Sequence, residues 1–270
     1  MPKDTNPLEQ LVSEVLSSRK YRQISPAFVR NLAERELSNR RNYKEALKAT
    51  KNKLHQVGGA YQPGRMEYQT WLERLRLSYA DPDPGTFRDV CKGIMAYHAS
   101  TRERLPILDE FFHTTLKDLP PIRSVVDLAC GFNPLALPWM GLPGDVEYLG
   151  VDIYQDMMAF IQEFMGLLKI NGRTAAADVL EFSDDREVDL AFILKTLPCL
   201  EQIDREAGQR LLDSVPAAHM LVSFPVHSLG GKQVGMAESY TARFEELVSG
   251  KRWVIRRFEF STELAFLVSK

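Results

Sequence analysis

From residue 124 onward, short apolar runs alternate with longer stretches of helical periodicity, and this restricts the fold more than any other feature of the chain. The runs are SVVDLAC (124–130), VEYLGVDI (146–153), TAAADVL (174–180), VDLAFIL (188–194), MLVSFPV (220–226), RWVIRRFEF (252–260) and ELAFLVSK (263–270). Helical patterns fill the gaps at about 154–170, 200–214 and 238–249. Strands separated by helices predict an α/β domain, a parallel sheet with crossover helices on both faces. Only Ser261-Thr262 stands between the last two runs, so they pair as a hairpin and the sheet ends antiparallel.

Before Pro120-Pro121 the periodicity is helical throughout. Leu8, Leu11, Val12, Val15 and Leu16 fall at i, i+3, i+4, i+7 and i+8, the stripe of an amphipathic helix. Ser25-Pro26 supplies an N-cap with proline at the first helical position, opening a second helix. A third is expected from Tyr43 to Val57, ending at Gly58-Gly59. Others centre on MEYQTWLERLRLSY, FRDVCKGIMAYH and TRERLPILDEFFHTTL, with ADPDPG as a break. At 270 residues, a helical domain over 1–104 and a sheet domain over 105–270 are the expected division.

The two parts differ in charge. Residues 1–104 carry 19 Lys and Arg against 12 Asp and Glu, whereas 105–270 carry 15 against 24. Lys44, Lys48 and Lys51 stand at i, i+4, i+7 on one helix face, a spacing that costs a few tenths of a kcal/mol per pair by repulsion. Stability does not explain such a face; contact with the phosphates of a polyanion does. No apolar run approaches the roughly 18–20 residues that span a bilayer, and the start lacks the basic-then-apolar pattern of a secretory signal. Cys91, Cys130 and Cys199 are scattered and odd in number, which suits free thiols in a reducing cytoplasm rather than a disulfide or metal framework.

In an open α/β sheet the ligand lies beyond the carboxyl ends of the strands. The turn after the first run reads DLACGFNPLALP, with Gly131 for close approach, Ala129 and Cys130 keeping the crevice shallow, and Asp127 at the strand end. A dinucleotide needs more glycines to seat its pyrophosphate on the next helix, yet here Pro134 and Pro138 remove amide donors. Asp152, 21 residues after Gly131, suits the two ribose hydroxyls of a nucleoside, and Asp178 suits an adenine amino group. A nucleoside without phosphates but with an amino-acid tail points to S-adenosylmethionine. Seven strands ending in a hairpin agree, being the arrangement of a Rossmann-like class I methyltransferase; a purely parallel six-stranded sheet would suit a dehydrogenase better.

HASTRERL (98–105), DLACGFNPLALP (127–138), FILKTLPCLE (192–201) and SFPVHSLGGKQVGM (223–236) together resemble the aminoglycoside-resistance 16S rRNA (guanine-N7) methyltransferases. KYRQISPAFVR (20–30) and KLHQVGGAY (53–61) resemble that family's helical N-terminal domain, so the resemblance runs from about residue 8 to the end. It implies that Arg104 pairs with the methionine carboxylate of the cofactor and that Gly131 lies beneath the methionine tail. Asp152, with Ile153 after it, would hold the ribose, while Asp178 and Val179 would frame the adenine. Lys195 would face the site from the fourth strand, toward the cofactor tail or the RNA, and is the candidate catalytic residue. Lys20, Arg30, Lys51, Lys53 and Lys232 would meet RNA on an assembled 30S subunit. One departure is visible: Gly235-Met236-Ala237 stands where the family reads Gly-Met-Glu, the acid following as Glu238.

Guanine N7 carries an in-plane lone pair, so attack on a sulfonium methyl needs no general base, and orientation supplies the rate. No Ser-His-Asp set, carboxylate pair or metal motif is needed or evident. Cys130 is expected to pack rather than attack, His98 to orient, and Trp139, Phe132 and Phe224 to pack in the core rather than stack on a flipped base. The expected protein is a cytoplasmic monomer with S-adenosylmethionine as cofactor, S-adenosylhomocysteine as product and rRNA as partner. The alternatives are methylation of another RNA or a small molecule, and non-catalytic RNA binding.

Overall fold

The computed structural model describes residues 6–61, 64–182, 186–226 and 236–270. The N-terminal part holds α1 (Pro7–Leu16), α2 (Pro26–Asn39), α3 (Tyr43–Leu54), α4 (Tyr68–Tyr79), α5 (Pro84–Met95), α6 (Ala99–Arg104) and α7 (Leu108–Leu116). Asn6 and Asn42 cap α1 and α3, each accepting a backbone N–H from the first turn at 3.0 Å. Ser25 opens α2 without a side-chain cap, and its own N–H donates to Ile153 O. The third helix is shorter than expected: α-geometry stops at Leu54 and one wide turn, His55–Gly59, completes it. The single helix expected over TRERLPILDEFFHTTL is divided between α6 and α7, since Pro106 has no N–H to continue the ladder.

The sheet is built from β1 (Ser124–Leu128), β2 (Glu147–Asp152), β3 (Asn171–Ala176), β4 (Val188–Leu194), β5 (Ala217–Pro225), β6 (Val254–Glu259) and β7 (Glu263–Ser269). Between them lie α8 (Leu137–Met140), α9 (Gln155–Leu167), α10 (Leu197–Glu201), α11 (Ala207–Ser214) and α12 (Met236–Val248). The strand order is β3-β2-β1-β4-β5-β7-β6, with β1 to β5 parallel and β7 antiparallel to both its neighbours. The hairpin forms as expected, but β7 inserts between β5 and β6. Two boundaries differ from the periodicity. β3 lies three residues earlier than TAAADVL, because its register pairs Glu147 with Asn171 and Asp152 with Ala176. The helix expected over 200–214 breaks at Asp204, whose Oδ1 caps the Glu206 N–H.

Each sheet face carries its own core. Phe192, Leu221 and Leu267 face one core, which continues through Phe132 and Phe160 into Leu11, Ile24, Leu75 and Ile94 of the helical part. Val126, Ile193 and Phe266 face the other, closed by Leu212 of α11 and Phe244 of α12. Each fully buried large apolar side chain contributes about 1.5–3 kcal/mol, so the shared core holds the helical part firmly on the sheet. Main-chain hydrogen bonds add to this seam. Ser25 N–H donates to Ile153 O and Gln155 N–H to Gln23 O, both at 2.7 Å, around an antiparallel bridge of Ile24 with Tyr154.

Candidate functional site

The strand order reverses between β1 and β4, and the loops after these two strands are conformationally unusual. Ala129 and Lys195, each just past its strand, have φ of +55° and +59°, and Gly131 has +50°. A side-chain-bearing residue in this region costs about 1–3 kcal/mol and persists where its surroundings overdetermine it. Cys130 N–H is held by Val151 O at 3.0 Å, and Gly131 N–H by Asp152 Oδ2 at 2.9 Å. The loop after β1 is thereby tied to the end of β2. A Cβ on Gly131 would lie 2.8 Å from His98 Cε1, so the space left by the missing side chain holds an imidazole.

Asp152 ends β2 and is buried. Besides Gly131, it accepts the Ile153 N–H on Oδ1 at 2.7 Å, and burial raises its carboxyl above the ordinary carboxylate value. Two occupied oxygens still leave lone pairs for a sugar hydroxyl. Asp178 lies two residues beyond β3 rather than within the expected strand, and its Oδ1 accepts the Leu180 N–H at 3.0 Å. Burial raises its carboxyl too, and Asn31 of α2 hydrogen-bonds its side chain. Val179 is buried beside it.

Arg104 is buried at the end of α6. Its Nε and Nη2 grip Glu263 of β7 at 3.1 and 2.7 Å, and Nη1 donates to Asn133 Oδ1 at 2.9 Å. Asn133 Nδ2 in turn donates to Asp127 Oδ2 at 2.9 Å, an oxygen that also accepts the Tyr148 hydroxyl at 2.6 Å. Lys195 Nζ reaches Ser100 O at 3.0 Å, Glu103 at 2.9 Å and Glu263 at 3.3 Å. Its three protons are thus committed inward, and only 4% of the residue is exposed. Ser223 Oγ completes the shell of Glu263 at 2.5 Å, and two cations keep that carboxyl below the usual range against its burial. Glu263 escaped the sequence reading: it opens a strand far from any motif.

Two features fit an amino acid at this centre. Asp127 Oδ1 is buried without a hydrogen-bond partner, an acceptor suited to an ammonium group. Arg104 has three of its five N–H groups engaged, which leaves two on the guanidinium end for a carboxylate. Burial pushes the Asp127 carboxyl up to about 6. His98, whose Nδ1 lies 3.0 Å from Ser100 Oγ, is driven down to about 3 by burial, then by Lys195, Arg102 and Arg104, and is neutral near pH 7.

The basic residues of the helical part are placed unevenly. Lys20 and Arg30 are exposed; Lys20 Nζ lies 3.1 Å from His55 Nδ1, and Arg30 grips Glu9 through both Nη atoms. Lys51 lies 3.7 Å from Glu14. Lys53 turns inward, pairing with the buried Glu36 at 2.9 Å and donating to Ile203 O at 3.3 Å, so it bridges α3 to the sheet part. Lys44 and Lys48 project from α3 into solvent. Lys232 and Gly235 lie outside the described residues.

Phe132 and Phe224 are core residues, 0% and 1% exposed, and Trp139 is bonded through Nε1 to Asp109 at 2.7 Å. Cys130 is buried with its thiol pushed up, which fits packing and not nucleophilic attack. Glu238 sits in the first turn of α12. No helix among the described residues is long and apolar enough to cross a membrane.

The sheet order, with acids near the ends of β1 and β2 and just beyond β3, defines a class I methyltransferase fold. A family model described as ribosomal RNA methyltransferase (FmrO) matches residues 17–267, and the chain belongs to that family. It is 36% identical over 265 residues to a Micromonospora rosea protein named 16S rRNA (guanine(1405)-N(7))-methyltransferase, 97% of each chain being covered. A Serratia marcescens protein of the same name is 33% identical over 263 residues, covering 97% of this chain and 98% of that one. Among solved structures, the chain is similar to the 16S rRNA methyltransferase RmtF in complex with S-adenosyl-L-homocysteine. The TM-score is 0.83 at 32% identity, over 98% of this chain and 99% of that one.

Proposed function

We propose that this protein methylates N7 of a guanine in the decoding site of 16S rRNA, using S-adenosylmethionine on the assembled 30S subunit, and so confers aminoglycoside resistance. The observation that carries the cofactor reading is the unused polar capacity of three groups near the carboxyl ends of β1 and β2. Asp127 offers an orphan acceptor and is joined through Asn133 to Arg104, which has two spare donors, while Asp152, with free lone pairs, holds the loop after β1. Those are the complements of an ammonium, a carboxylate and a ribose. The RNA target follows from the family and from relatives whose names specify it.

The bound cofactor supplies an electrophilic sulfonium methyl. The protein's task is placement: Arg104 and Asp127 hold the tail, Asp152 the ribose, and Asp178 with Val179 the adenine. Guanine N7 presents its own lone pair, so no residue has to accept a proton before transfer, and alignment contributes as much as about 7–11 kcal/mol. Lys195 acts from behind, its ammonium balancing Glu103 and Glu263 rather than reaching RNA. Lys44 and Lys48, with Lys20, Arg30 and Lys51, form the phosphate-facing surface. The protein acts as a monomer in the cytoplasm.

Purified protein incubated with 30S subunits and methyl-labelled S-adenosylmethionine should label one guanine at N7 in the decoding site. Expression in a sensitive bacterium should raise the inhibitory concentrations of gentamicin and kanamycin. Label in another RNA, in a small molecule or nowhere, with soluble protein present, would overturn the assignment.

A further inference from the structure

Gly131 was expected to leave room for the ligand, yet the imidazole of His98 occupies that room. A Cβ on Gly131 would stand 2.8 Å from Cε1, 3.0 Å from Nε2 and 3.2 Å from Nδ1, so the ring lies directly against the loop after β1. The ring is wedged between Tyr61, stacked at 5.8 Å and 21°, and Phe132, tilted at 5.6 Å. Such confinement fixes the direction of its edge. Nδ1 faces the Ser100 hydroxyl, whereas Nε2 has no hydrogen-bond partner among the described residues. In the tautomer in which the Ser100 hydroxyl donates to Nδ1, Nε2 carries the ring proton.

We propose that His98 hydrogen-bonds the amino-acid tail of the cofactor through Nε2, donating to its carboxylate beside Arg104. This rests on the cofactor reading above. An imidazole held neutral gives the carboxylate a second donor without adding a second cation beside Arg104. His98 and Arg104 lie on the same short stretch, at the start and the end of α6, so that helix carries both donors. The proposal explains why the loop has a glycine where no pyrophosphate needs one: the backbone must clear the ring.

The test compares two ligands on the full-length protein by calorimetry: S-adenosylhomocysteine, which has the tail, and 5′-methylthioadenosine, which lacks it. His98→Phe keeps a flat ring against Tyr61 and Gly131 but removes the donor. It should weaken S-adenosylhomocysteine about tenfold while leaving methylthioadenosine within about twofold. An unchanged affinity for both ligands, or a parallel loss of both, overturns the proposal, because a purely structural ring would act on the two alike. His98→Ala carries the same comparison should the phenylalanine variant not fold. Asp152→Asn separates this from the underlying reading: it should weaken both ligands, and if it weakens neither, the cofactor placement itself is wrong.

Discussion

The Gly131 N–H donates to Asp152 Oδ2 at 2.9 Å, joining the loop after the first strand to the acid that ends the second. Asp152, proposed to hold the ribose, is therefore also the anchor of that loop. A change at either residue is felt at the other.

Gly131→Ala should damage both stability and binding. Its φ of +50° disfavours any residue with a Cβ by about 1–2 kcal/mol, and the new methyl would meet His98 at 2.8 Å. Thermal melting should show a drop of several degrees, and calorimetry a loss of S-adenosylhomocysteine affinity of at least about tenfold.

Asp152→Asn should not behave as a silent isostere. Asp152 accepts Gly131 N–H on one oxygen and Ile153 N–H on the other, so an amide must set its NH2 against one of these donors. An unmet buried group costs about 1–3 kcal/mol. Cofactor affinity should fall more than tenfold, about 1.4 kcal/mol or more, with a smaller fall in melting temperature. Retained affinity would refute its role.

Asp127 makes stability depend on pH. Its folded carboxyl, near 6, lies above its ordinary value of 3.8, so the folded chain keeps that proton where the unfolded chain has lost it. The stabilisation is complete below 3.8 and disappears as pH rises through 6. Asp127→Asn keeps an oxygen for Tyr148 and Asn133 and replaces the charged, partnerless oxygen with a neutral NH2, whose unmet donors cost the same at every pH. Relative to wild type, the Asn variant should gain about 3 kcal/mol in urea unfolding between pH 4 and 7, while losing cofactor affinity. Parallel stability curves would contradict this.

Glu263→Ala leaves Arg104 and Lys195 buried without their shared carboxylate. Breaking a buried pair from one side costs about 3–5 kcal/mol. Adding Lys195→Met should recover part of that loss in urea denaturation, because it removes a buried cation left with Glu103 as its one carboxylate. Additive losses would show that the two do not interact.

Lys44→Glu with Lys48→Glu should weaken 30S binding about tenfold or more at moderate salt and reduce its salt dependence, with cofactor affinity unchanged. Lys53→Ala should instead lower stability, since its ammonium serves Glu36 and the Ile203 carbonyl. Filter binding and thermal melts distinguish these outcomes.

Local pattern alone made much of this protein legible. The apolar run at 188–194 coincides with β4, the two-residue gap at Ser261-Thr262 predicts the hairpin, and Asp127, Asp152 and Asp178 announce themselves at or just after strands. Such features depend on neighbours a few residues away, where periodicity and turn chemistry operate. The start of β3 depended on pairing with β2, and the periodicity missed it by three residues.

What the tertiary structure decided is which distant groups meet. Glu263 stands 159 residues from Arg104 and reaches it because β7 inserts antiparallel between β5 and β6, bringing its first residue to the carboxyl ends of the parallel strands. Lys53 fits a basic surface by sequence, but the seam with the sheet turns it onto Glu36 and Ile203. His98 belongs to a helix, Gly131 to a strand turn, and only their packing shows that one explains the other. Most strands and helices were legible from short-range periodicity, and the acids from their places at strand ends. Closure of the charged centre required the fold, because burial forces every cation and carboxylate within it to find a partner, however remote along the chain.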